Sequence, residues 1–215
     1  MSERGAGGRP PAGEADRFIE WGAATRTIPG ETESGDQHLV LPRPDGVLLA
    51  VVDGIGHGRE AALAASAAVE TLEDHAGETL QALVTRCHER LRGMRGVVMS
   101  LAAVETRTRM MTWLGVGNVE GVVIRAGAAA ASRHERLIQR RGVVGGRLPD
   151  LHPATLRVAP GDVLILATDG IAATFDASLQ PYDRPQPLAD RIVRRYATGT
   201  DDATVLVARF TEWRP

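Results

Sequence analysis

The stretch that most constrains this chain is Gly46–Gly58, G-V-L-L-A-V-V-D-G-I-G-H-G. An unbroken apolar run from Val47 to Val52 leads into Asp53 and then into Gly54, Gly56 and Gly58. Such a run of Val, Leu and Ala fits a strand buried on both faces. Asp53 then stands where the strand leaves the core, and the glycines let the backbone turn tightly and leave room for close approach. A carboxylate at a strand end beside a glycine turn suits an ion or phosphate site, and it equally suits a plain strand-to-helix connection.

The rest of the chain supplies the frame. Arg17–Thr27 and His38–Leu41 read as strands before this stretch, separated by the turn-rich Ile28–Gln37. After it, Arg59–His75 places Ala61, Ala62, Ala65, Ala68, Val69 and Leu72 on one helical face, and Thr79–Arg92 makes a second amphipathic helix. Val97–Val104, Met110–Val116, Val119–Ile124 and Glu135–Arg140 read as strands between turn signals. Thr155–Val158 and Val163–Thr168 flank A-P-G-D and read as a hairpin. Leu188–Ala197 reads as a third helix and Thr204–Phe210 as the closing strand, with Ile171–Pro187 irregular between them. Regular β-α-β alternation is missing, which argues against a doubly wound nucleotide-binding fold. Segregated strands and helices favour an α+β layered sandwich with antiparallel sheets.

Composition narrows the function classes. Aromatic residues make up only 4% against 43% hydrophobic residues, so the core is built from aliphatic side chains. A net charge of −2 gives no basis for a nucleic-acid surface or a polybasic membrane patch. No apolar run approaches the ~20 residues needed to span a bilayer. Cys87 stands alone, so no internal disulfide forms, and a cytoplasmic protein is expected. Residues 1–16, rich in Gly, Pro and charge, read as a disordered tail before a single domain over 17–215.

Asp53 has echoes. Asp169 also follows an apolar strand, L-I-L-A-T, and also precedes a glycine, Gly170. Asp201 and Asp202 precede the strand T-V-L-V, and Asp36 closes the turn Ser34-Gly35-Asp36. Each alone suits a turn. Brought to one edge of a sandwich, they would raise one another's pKa and oppose ionisation unless a cation joined them. Oxygen-only ligands favour Mg²⁺ or Mn²⁺ over zinc.

The ordered set S-G-D at 34–36, V-V-D-G-I-G-H-G at 51–58, P-G-D-V-L-I-L-A-T-D-G at 160–170 and T-D-D-A-T-V-L-V at 200–207 resembles the metal-dependent Ser/Thr protein phosphatases. These form the PPM, or type 2C, superfamily, and the compact bacterial SpoIIE-type branch is the nearer match. The resemblance implies a four-layer α-β-β-α sandwich with two central antiparallel sheets. It implies two Mn²⁺ or Mg²⁺ ions bridged by Asp53, with the Gly54 carbonyl, Asp169 and Asp201 as further ligands. Asp36 matches a residue at the metal edge, often acting through water, and Asp202 takes a place where the family often has Asn. The implied reaction is in-line hydrolysis of phosphoserine or phosphothreonine by water activated between the ions. The implied partners are phosphorylated STAS-domain proteins of the stressosome or anti-sigma antagonist type.

Departures from the pattern are also legible. The phosphate-gripping amino-terminal arginine of larger relatives has Arg26 as its nearest counterpart, a position that also suits a plain surface residue. His57 lies two positions from where those relatives carry a histidine that can act as general acid. Asn118, in G-V-G-N-V-E-G, stands where they have an aspartate linked to a third metal, so a two-metal core is expected. A substrate-facing flap would fall in Ile171–Pro187. Two other readings compete: a non-catalytic regulatory binding module with the same fold, and an ATP-binding protein using D-G-I-G-H-G as a D-x-G-x-G motif.

Overall fold

A computed structural model of the chain describes residues 18–127, 134–176, 179 and 183–211. The tail expected over 1–16 and part of the expected flap lie outside the described residues. In chain order the elements are β1 (Ile19–Arg26), β2 (Asp36–Arg43), β3 (Gly46–Gly54), α1 (Arg59–Asp74), α2 (Leu80–Arg90), β4 (Val97–Glu105) and β5 (Met110–Val116). There follow β6 (Glu120–Ile124), β7 (His134–Arg136), β8 (Ala154–Arg157), β9 (Val163–Ala167), α3 (Pro185–Tyr196) and β10 (Ala203–Phe210).

The strands form two antiparallel sheets, ordered β1-β10-β9-β6-β7 and β2-β3-β4-β5-β8. Alternation along β3 accounts for the layers. Val47, Leu49 and Val51 enter the core between the sheets with Trp113, Leu164, Leu166 and Leu206. Leu48, Ala50 and Val52 face the other way, against Ala64, Ala68 and Leu72 of α1 and Leu83 of α2. On the far side α3 packs Leu188 and Ile192 on Val205 and Val207 of β10. The result is the expected four-layer α-β-β-α sandwich. Burying each Val or Leu stabilises the fold by roughly 1.5–3 kcal/mol, so a strand buried on both faces is a strong organiser.

Two sequence expectations are corrected. The A-P-G-D turn does not close a hairpin: β8 pairs with β5 in one sheet and β9 with β10 and β6 in the other. The turn is a crossover between sheets, pinned by Asp162. Its buried carboxylate accepts from the backbone N–H groups of Ala159 (3.1 Å) and Ala126 (2.9 Å) and from Arg125 Nη1 (2.9 Å). Likewise Glu135–Arg140 is not one strand. Its start pairs with β6, Leu137 donates to the Gly121 carbonyl, and by Arg140 the chain has reached Val116 in the other sheet. Alternating local sequence cannot distinguish a strand from a segment that changes sheets.

Candidate metal centre and active site

Register brings the acidic residues to one end of the sandwich. Asp36, first in β2, lies directly opposite Asp53 near the end of β3. Their neighbours Gly35 and Gly54 share a backbone hydrogen bond, Gly54 N–H to the Gly35 carbonyl at 3.0 Å. The Asp pair is therefore of the non-hydrogen-bonded kind, which brings opposite side chains closest. Two like charges so placed oppose each other. The reciprocal bond of the glycine pair is replaced: Gly35 N–H donates to Asp202 Oδ2 at 2.7 Å, which leaves the Gly54 carbonyl without its ladder partner. Gly54 itself is required by packing, since a Cβ there would lie 2.3 Å from the Ala61 carbonyl oxygen of α1. Beyond it Gly56 and Gly58 adopt φ of 85° and 73°, conformations that favour glycine.

The second Asp-Gly corner comes from the opposite sheet. Asp169 follows β9, and Gly170 packs so tightly that a Cβ would fall 1.9 Å from the Asp202 carbonyl oxygen. Asn118 Nδ2 donates to Asp169 Oδ2 at 2.6 Å. Thr168 Oγ1 donates to Asp36 Oδ2 at 2.7 Å and in turn accepts from Thr204 N–H at 2.9 Å. Asp202, 3% exposed, accepts from Ile28 N–H at 2.8 Å as well as from Gly35. Thr168 and Asp202 thus brace the two sheets together at this end. Asp201 Oδ1 accepts from the Asp202 N–H at 2.8 Å.

Asp53 differs from its neighbours. No hydrogen bond to its carboxylate is found among the described residues. Burial, then the charges of Asp36, Asp169, Asp201 and Asp202, push its pKa up to about 8. Burial raises Asp36 to about 7 against the opposing hydrogen bond from Thr168. Burial and then Asp201 raise Asp169, opposed by the Asn118 hydrogen bond. Among the described residues no three acidic, His or Cys side chains already converge on one ion position. The donor set nevertheless fits hard divalent cations by its chemistry: every donor is oxygen, and a cation would relieve the burial and repulsion that hold Asp53 protonated.

At the rim, His57 Nδ1 lies 2.7 Å from Glu31 Oε1 with the imidazole largely exposed. Arg26 ends β1, exposed, opposite Ala203 and so one residue from Asp202. A groove of about 470 Å³ opens beside Asp36, lined by Thr25, Ser34, Gln37, His38 and Ser66.

The family model for stage II sporulation protein E (SpoIIE) matches residues 43–211. The chain belongs to the SpoIIE family, and so to the PPM-type phosphatases. Over 183 residues it is 25% identical to phosphoserine phosphatase RsbX of Bacillus subtilis (strain 168), covering 85% of this chain and 90% of RsbX. A solved chain from the bacterial stressosome, a modular system adapted to control secondary-messenger signalling, is 31% identical with TM-score 0.80, covering 89% of this chain and 99% of that one. RsbX in complex with magnesium superposes with TM-score 0.79 at 20% identity, covering 90% and 96%. The ATP-binding reading of D-G-I-G-H-G falls with this fold. Among the described residues no helix is long and apolar enough to cross a membrane.

Sequence reasoning did not anticipate Thr168, Glu31 or the contact of Asn118 with Asp169. Thr168 is adjacent to Asp169 in sequence, which was an available signal. Glu31 carried none, because only the folded loop brings it to His57.

Proposed function

We propose that this SpoIIE-family chain removes phosphate from phosphoserine or phosphothreonine of a regulatory partner protein, using two Mn²⁺ or Mg²⁺ ions. The observation that carries the proposal is Asp53: a carboxylate at a strand end, with no protein donor among the described residues, held against other carboxylates. Asp53 would be shared by both ions, with Asp169, Asp201 and the Gly54 carbonyl completing the protein ligands and Asp36 acting at the edge. Asp202, whose oxygens are engaged by Ile28 and Gly35, is assigned the brace role instead of direct ligation. When bound, the two cations neutralise phosphate charge and make a water sufficiently acidic for in-line attack.

The chain's own groups do the rest. Asp36 and Asp53 form a rigid pair because β2 and β3 fix their register. Asn118 orients one oxygen of Asp169. Arg26 stands at the rim where it can meet a phosphate oxygen. His57, held through Nδ1 by Glu31, supplies a proton to the leaving serine or threonine oxygen, with solvent water as the substitute. Cys87 takes no part: it is fully buried, and burial pushes its thiol up to about 12.

Similarity to RsbX and to a stressosome chain supports a cytoplasmic STAS-domain phosphoprotein as the partner. The test incubates the protein with phosphorylated STAS-domain proteins and Mn²⁺ and follows phosphate loss by mass. Loss from one of them, abolished by Asp53→Asn, is the expected result. Binding without turnover, unaffected by cation, would instead favour the non-catalytic module.

A further inference from the structure

The segment from Arg140 to Arg147 is a folded strap across the metal end of β4 and β5. Arg140 N–H donates to the Gly115 carbonyl (3.2 Å) and its own carbonyl accepts from Gly117 (2.8 Å). Val144 and Val97 exchange both backbone bonds at 2.9 Å, and Val143 N–H donates to the Arg147 carbonyl at 2.8 Å. Gly145, at φ 88°, donates its N–H to His88 Nδ1 at 3.0 Å. The strap therefore presents its side chains from a fixed backbone.

Its position follows from register. Val97 lies opposite Gly54, and Ile55 N–H donates to the Gly96 carbonyl at 2.9 Å. Gly96 packs on the strap so closely that a Cβ would lie 2.3 Å from Val143 Cγ1. Asp53, Ile55, the Met94–Gly96 turn and the strap thus form one continuous rim.

Arg140, Arg141 and Arg147 are all exposed, and among the described residues none has a carboxylate partner. Acidic neighbours on this flank are otherwise engaged or apart: Glu60 pairs with Arg95 at 2.8 Å, while Asp150 lies exposed just beyond the strap. Ile55, two residues after Asp53, and Met94, two residues before Gly96, are 42% and 37% exposed and add apolar surface to this flank. Exposed arginines without a carboxylate partner among the described residues, on a chain with net charge −2, are a local feature, not a bulk excess of positive charge.

We infer that the strap docks an acidic segment of the phosphoprotein substrate, so that aspartate and glutamate residues flank the phosphorylated side chain. The inference rests on the phosphatase reading above and adds its substrate class. Planar guanidinium groups engage carboxylates in paired hydrogen bonds, and charge complementarity steers the partner onto the site.

The test uses phosphopeptides of one phosphoserine core with acidic, neutral or basic flanks, against the wild type and the R141E/R147E double variant. Turnover and anisotropy of labelled peptide are both read, with p-nitrophenyl phosphate and Mn²⁺ as the reference reaction. The wild type should favour the acidic peptide through KM, by about tenfold or more at low salt and less at high salt. In the double variant that preference should vanish or invert, with p-nitrophenyl phosphate turnover unchanged. Equal handling of all three peptides by the wild type, or an undiminished acidic preference in the variant, overturns the docking role. Absence of any wild-type turnover overturns the phosphatase reading, and the anisotropy arm still decides the strap.

Discussion

Two Asp-Gly corners meet at this site, and they are alike in sequence but not in surroundings. Asp53-Gly54 ends a strand of one sheet, and Asp169-Gly170 follows a strand of the other. Both glycines are dictated by close backbone approach, Gly54 to Ala61 and Gly170 to Asp202. The carboxylates diverge. Asp169 is held by an amide donor, Asn118, whereas Asp53 has no hydrogen-bond donor among the described residues and lies under the charges of four other aspartates. A buried carboxylate without a protein donor either keeps its proton, as the raised pKa of Asp53 means, or is ionised by a cation from outside the chain. Under the proposed function, that contrast supports Asp53 as the carboxylate the two ions would share and Asp169 as an oriented ligand.

The sharpest way to break that contrast is to neutralise each corner separately. Asp53→Asn should lower kcat on a phosphopeptide by on the order of 10³-fold or more, and Asp169→Asn by on the order of 10²-fold. Equal losses, with equal loss of Mn²⁺ binding by calorimetry, would erase the distinction. Next in size is Asp202→Ala, which strips the side-chain brace from Ile28 and from Gly35, the partner of Gly54. It leaves the Ile28 and Gly35 N–H groups without their acceptor, at about 1–3 kcal/mol each. Thermal denaturation of the metal-free protein should detect it, and an unchanged midpoint would refute the brace.

A smaller effect is expected from Asn118→Ala. It should weaken Mn²⁺ binding by about tenfold, the low end for an orienting partner, while leaving metal-free stability nearly unchanged. The mildest test concerns pH. Asp53 and Asp36, raised to about 8 and about 7, bind protons in the fold more tightly than in the unfolded chain. The unfolded chain ionises these groups near pH ~4, so metal-free stability falls as pH rises from ~4 toward 8. Scanning calorimetry should show a lower midpoint at pH 8 than at pH 5, and Mn²⁺ should restore more at pH 8. A metal-free midpoint that rises over that range would contradict the picture.

Much of this was legible before folding was considered. The both-faces-buried strand came from Val47–Val52, because continuous aliphatic runs satisfy only a strand between two layers. The four-layer architecture followed from segregated strands and helices together with the motif order, and the recurrence of Asp-Gly after apolar strands marked both corners. Other features were invisible locally. Leu137–Arg140 and Val158–Asp162 look like strand and hairpin but carry the chain between sheets, since adjacent residues do not record which sheet their backbone bonds will join. Asp201 and Asp202 are neighbours with equivalent chemistry, yet Asp202 points its oxygens at Ile28 and Gly35 and its neighbour does not.

The sequence by itself determined which residues carry charge and where strands must end. It could do so because hydrophobic periodicity and glycine chemistry act over a few residues. Only the tertiary structure decided which of those charges lack a partner. Among the described residues Asp53 has no donor, Asp169 is held by Asn118, and Arg140, Arg141 and Arg147 are displayed on a fixed strap, because pairing depends on contacts between segments far apart in the chain.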